Sequence, residues 1–248
     1  MERWTHQYDE LSHEWSMLVG TRLITDPETW DRRFRELRGE HQELVNSGLW
    51  VSGPEDLLSV IGRRGDELIH SAVIAWLMTP TARHGHGSRI LDAMVRFAWP
   101  DDPRPTGPVV VRREVPMESV ITGDQARADI VVNIGDSILV IENKVWAVEG
   151  PRQCERLYRT WVDEATDVRW LLLSPHGRPP RTTETPEALE AWGCLSYPIL
   201  AGFVAEALRL SAGAAGSIGR QTARQYLTTL VATFGPPADE SPVMEGLP

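Results

Sequence analysis

Lysine is nearly absent from this chain. Of its 25 basic residues a single one, Lys144, is lysine, and the rest are arginine. Arginine therefore serves wherever a surface cation is needed. A solitary lysine marks a position where a bulky, permanently protonated fork will not do, because lysine is a compact point charge with a readily shifted pKa. Cysteine is scarce too. Cys154 and Cys194 lack paired spacing, which excludes a disulfide framework and a cysteine-based zinc site, and two reduced thiols are expected. No apolar run approaches the ~18 residues a membrane span needs, so no membrane partner is expected. The opening MERWTHQYDELSHEW has no signal-peptide core, and the reading is a soluble cytoplasmic protein. Excess positive charge is also missing. A net charge of −10 argues against a strong sequence-blind grip on nucleic acid, while leaving room for a local basic surface.

What is present fits one large domain or a domain with an appendage: 248 residues, 42% of them hydrophobic. Residues 1–50 read as helical and carry Trp4, Trp15, Trp30 and Trp50. Trp30, Phe34, Leu37, His41 and Leu44 share one helix face, opened by Asp26 as cap and Pro27 at the first helical position. Pro54 is expected to open a short helix through Ile61. Residues 66–79 read as a buried helix ended by Pro80, and 88–98 as another. Strands follow at 109–115, 128–134 and 137–143. A helix then runs from Gly150-Pro151 to about Glu164, and a buried strand from 168 to 174. A short helix at 186–192, a strand near CLSYP and helices near 199–211 and 217–234 complete the pattern. The order predicts an α/β fold, a mixed sheet flanked by helices. The expected division is a helical extension packed on the core (1–65), a core domain (66–235) and a disordered tail (236–248).

The chemistry concentrates around Gly135-Asp136, which suits a two-residue hairpin turn with Gly first. Ile134 then faces Ser137, and the same register places Asp129 opposite Glu142. Opposed carboxylates destabilise a sheet, and a divalent cation offsets that; oxygen-rich sites favour Mg²⁺, with Mn²⁺ as the alternative. Glu142 and Lys144 share a strand face, so the ammonium stands beside the acids. The side chain of Asn143 points away, but its carbonyl can turn toward the ion. Asp129 and Glu142 holding Mg²⁺, with Lys144 orienting a water or stabilising phosphorane charge, match phosphodiester hydrolysis.

The segment RADIVVNIGDSILVIENK resembles the signature of the PD-(D/E)XK nuclease superfamily, in which an acid opens one strand and an acid-x-lysine triplet ends its neighbour. ELIHSAVIAWLMTP, the HGHG loop and GPRQCERLYRTW are similar to a bacterial branch annotated largely from sequence. The likeness covers roughly residues 66–175. It departs from the pattern at Ala128, where the motif has proline. The resemblance implies a restriction-endonuclease-like fold and a metal-dependent nuclease. Its implied partner is nucleic acid, DNA first, with a role in defence against foreign DNA. It also implies that Glu67 joins the metal site, or its surroundings, from the first core helix. Gln153 is expected beside the lysine; by spacing it shares an inward face with Leu157 and Trp161.

Other residues are weaker candidates. Arg127 shares parity with Asp129, which predicts a shared face and a role with phosphate or the acids. Arg152, Arg156 and Arg159 fit a solvated helix face better than a backbone-binding one. Glu114 and Glu118 offer further carboxylates of unfixed direction. His84 and His86 with His70 allow a zinc site, but the glycines around them point more simply to a tight turn. Two other functions compete with the nuclease: a catalytically silent nuclease-like module that binds nucleic acid or protein, and an interaction protein working through its tryptophan-rich helices. Duplex cutting with one site per chain would suggest a homodimer.

Overall fold

The computed structural model describes residues 13, 27–101, 103–118, 123, 125–211 and 217–238. The expected helix around Trp4 and Trp15, the Asp26 cap and most of the expected tail lie outside these residues. The chain divides into two units, Met1–Gly53 and Pro54–Pro248. In the first, α1 (Pro27–Asn46) begins at the expected proline and has no buried side chain.

In the second unit, α2 (Leu57–Val60) starts later than Pro54 because Asp56 is its N-cap, accepting from the Ser59 N–H. The helix α3 (Glu67–Met78) is capped in the same way by Asp66. Next come α4 (Arg89–Ala98), β1 (Val109–Glu118), β2 (Gln125–Ile134) and β3 (Ser137–Asn143). They are followed by α5 (Gln153–Trp161), β4 (Asp167–Ser174), α6 (Pro186–Ala191), β5 (Trp192–Ser196), α7 (Tyr197–Leu210) and α8 (Ile218–Phe234). The five strands form one mixed sheet in sequence order. The first three pair antiparallel, and β3, β4 and β5 pair parallel. Parallel neighbours require a crossover, and α5 and α6 supply the two.

Each face of the sheet buries its own core. Leu139 and Ile141 of β3 join α3, α4, α7 and α8, whereas Ile138 and Val140 pack with Cys154, Leu157 and Trp161 of α5. This is the two-residue alternation of a strand buried on both sides. Gly135 makes the β2–β3 turn at φ +54°, and a Cβ there would stand 2.5 Å from the Thr106 carbonyl oxygen. The turn sets the ladder from Ile134↔Ser137 to Ile130↔Ile141, the expected register.

Between β1 and β2 the alternation is reset. Val109 and Val111 face the first core, yet Val115 and Met117 face the second. In β2, Ile130 and Val132 face the first core, yet Ala126 and Ala128 face the second. The ladder skips one pair at that point, between Arg113↔Ile130 and Val115↔Ala128. The residues left over are Glu114, at φ +52°, and Asp129.

Candidate active site

The end of the β2–β3 ladder leaves a polar gap in an apolar sheet. One residue beyond Ile130↔Ile141 the pairing ceases. There the Asp129 side chain replaces the backbone as acceptor, with Oδ2 taking the Asn143 N–H at 2.8 Å. Glu142 precedes Asn143 on the α5 face and is fully buried. Lys144 follows, with Nζ 2.7 Å from Glu142 Oε1. From α5, Gln153 donates through Nε2 to the same oxygen at 2.6 Å and accepts the Gly150 N–H on its own Oε1 at 2.9 Å. It thus both caps the helix start and touches the acid. Glu67, in the first turn of α3, accepts from the N–H groups of Val145 and Ala147. Its other oxygen is 3.8 Å from Lys144 Nζ. Glu67, Asp129, Lys144 and Gln153 line one cavity of about 920 Å³.

Electrostatics follow from burial. Desolvation, with Asp129 as a like charge, pushes the Glu142 carboxyl up to about 8, against the pull of Lys144. Asp129 is raised by burial too, opposed by the Asn143 N–H and Lys144. Burial alone would lower Lys144, but Glu142, Asp129 and Glu67 outweigh it and hold the amine protonated.

Asn143 works on the opposite face. Its Nδ2 donates to the Glu67 carbonyl and to Ser71 Oγ, and its Oδ1 accepts from the Tyr197 hydroxyl at 2.7 Å. Tyr197 stacks on Phe234 with centroids 3.9 Å apart. The strand carrying Glu142 and Lys144 is thereby fastened to α3 and α7. Ser71 shares a helix face with Glu67 by its spacing of four, a signal present in the sequence, whereas Tyr197 is tied to the site only through the fold. A strand residue directs N–H and C=O to the same edge, so the Asn143 carbonyl faces the Asp129 side.

The donor set fits a divalent cation. Glu142 Oε2 is buried with no hydrogen-bond partner, a costly state that a cation relieves. Among the described residues no group of three or more acidic, histidine or cysteine side chains is placed to hold an ion by itself. A divalent ion that keeps several waters needs only one or two carboxylates from the protein. Asp129, Glu142 and the Asn143 carbonyl would hold it, with Glu67 at the edge.

The remaining candidates separate. Arg127 and Arg156 line the cavity. The parity argument for Arg127 does not apply, because the alternation resets between it and Asp129. Arg156 differs from its helix neighbours: Arg152 pairs with Glu184 and Arg159 with buried Glu155. The three histidines are buried and serve packing. His70 bonds to the Tyr226 hydroxyl and the Arg64 carbonyl, and His84 stacks on His86 at 5.4 Å. Burial lowers the pKa of all three.

A family model described as the PD-(D/E)XK nuclease superfamily matches residues 55–228. No curated protein and no solved structure gives a match.

Proposed function

The chain belongs to the PD-(D/E)XK nuclease superfamily, and we propose from that premise that it hydrolyses phosphodiester bonds of DNA with Mg²⁺, or Mn²⁺, in defence against foreign DNA. The observation that carries the reading is Glu142: a buried carboxylate with an orphaned oxygen, beside Asp129 and in contact with Lys144. That arrangement suits an ion and a phosphate better than it suits stability.

The bound cation would supply a Lewis acid and lower the pKa of a water. The chain does the rest. Asp129 and Glu142 hold and orient, and Gln153 fixes the rotation of Glu142 through Oε1. Lys144 Nζ stands at the cavity wall, where its protons meet charge developing on a scissile phosphate. Glu67 secures the backbone just after Lys144, so the amine keeps its place. Arg127 and Arg156 give the cavity local positive charge on a chain whose net charge is −10. A silent binding module is the competing reading, favoured by the way Lys144 itself neutralises Glu142.

Purified protein incubated with single- and double-stranded DNA and RNA, with Mg²⁺ or Mn²⁺, decides between them. Cleavage by the wild type is expected to fall by about 10²–10³-fold in Lys144→Ala and in Asp129→Ala. Cleavage that survives in both removes the site assignment. Binding with no cleavage in any metal favours the module.

A further inference from the structure

Glu114 holds a backbone conformation that a glutamate adopts at a cost. Its φ of +52° is left-handed in the middle of a strand, and Arg152 is the one other non-glycine residue so placed among those described. Such conformations persist where their surroundings over-determine them, and they concentrate at working sites. No turn calls for this one, since β1 continues to Glu118. Its visible effect is to turn the strand over opposite Asp129 and to deliver the Glu114 carboxylate to Arg127, with Nε 3.0 Å from Oε2. The Arg127 side chain is 65% exposed and that of Glu114 29%, with Glu114 Oε1 buried and unpartnered, so this pair, open to solvent on its arginine side, adds little to stability. Stability is therefore a poor reason for the strain.

We propose that Glu114 is a positioning residue for the substrate: its carboxylate holds Arg127 Nε, so that the terminal amino groups of the guanidinium face the cavity and grip a phosphate flanking the one that is cut. The inference rests on the nuclease reading above. Arginine presents five N–H donors in a rigid fork; spending the Nε donor on Glu114 leaves four in a plane, the geometry for a phosphate. Arg127 lines the cavity from β2, and Arg156, whose Nε is buried and unpartnered, lines it from α5. The nucleic-acid backbone would pass between them.

The sign of one measurement separates this role from plain charge. Removing an acid near a polyanion should tighten binding, whereas losing a positioning residue should weaken it. The probe is a fluorescein-labelled DNA, duplex and single-stranded, bound to the full chain without divalent cation and followed by anisotropy over a range of salt. Glu114→Gln and Arg127→Gln are each expected to weaken binding about tenfold, the worth of one charge-assisted hydrogen bond. The double variant should bind no more weakly than Arg127→Gln alone, and each variant should lose about one charge from the salt dependence. Glu114→Gly relieves the backbone and should raise Tm by about 2 °C. Tighter or unchanged binding by Glu114→Gln, additive losses in the double variant, or a lower Tm for Glu114→Gly overturns the inference alone. A wild type that binds neither DNA overturns the DNA reading beneath it.

Discussion

At Glu142 two demands conflict: burial asks for a neutral group, and an ion asks for a charged one. The carboxyl, raised to about 8 from an ordinary 4.5, holds its proton more tightly folded than unfolded. Its contribution to stability is therefore fully present below about 4.5 and is lost as pH rises through about 8. In chelator, the Tm of the wild type relative to Glu142→Gln should fall steadily between pH 5 and pH 8. A divalent cation held by Glu142, as proposed, would need its ionised form, so the Tm gain on adding Mn²⁺ should grow across the same window and vanish in Glu142→Gln. A pH-independent Tm difference in chelator would mean that burial does not govern this carboxyl. The residue scale is also where sequence reading reached its limit. The register set by the two-residue turn was legible as far as Ile130↔Ile141; beyond it the expected Asp129–Glu142 pair gives way to the Asp129 side chain accepting the Asn143 N–H, while Lys144 Nζ does stand beside Glu142, as their spacing implied. The partners of Asn143 were not legible, since Ser71 and Tyr197 come from helices that packing alone brings to the strand. The direction of Arg127 was hidden by a left-handed φ at Glu114, a residue type that does not announce it.

At the element scale, α5 is the part whose placement matters most, because it carries Gln153 and Arg156 to the cavity. Two buried glutamates secure it to the loop before α6. Glu149 accepts from Arg178, the Arg181 N–H and Thr182 Oγ1. Glu155 accepts from Arg159, the N–H groups of Glu184 and Thr185, and Thr185 Oγ1. Burial would raise the Glu155 carboxyl, but these hydrogen bonds together outweigh it and hold the group below its usual value. The stability it contributes is present above about 4.5 and lost as pH falls through its lower folded value. Glu155→Ala strands several donors at once and should cost about 2–3 kcal/mol, read from urea unfolding at pH 7. A cost near zero would mean that the loop finds other acceptors. The sequence places this helix correctly but starts it too early. Arg152 turns left-handed at φ +54°, which a helix through 150–152 does not allow, and the Gly150 N–H is taken by Gln153 Oε1.

Across the whole molecule, strong local patterns were readable in sequence: buried strands, a helix opened at Pro27 and a mixed sheet flanked by helices. The sheet order, in which each strand lies beside its neighbour in sequence, comes from the structure. What no pattern revealed is how an acidic chain of net charge −10 places arginines on two walls of one cavity, since those walls meet only in the folded sheet. The near absence of lysine has a practical side. Amine-reactive esters find one side-chain target, and it is 8% exposed and ion-paired. Folded protein should therefore acylate at Lys144 far more slowly than urea-unfolded protein, by mass spectrometry of the peptide; equal rates would mean an amine open to solvent. This built-in tag makes Lys144 acylation a clock for opening of the cavity, readable without substrate, fluorophore or engineered cysteine.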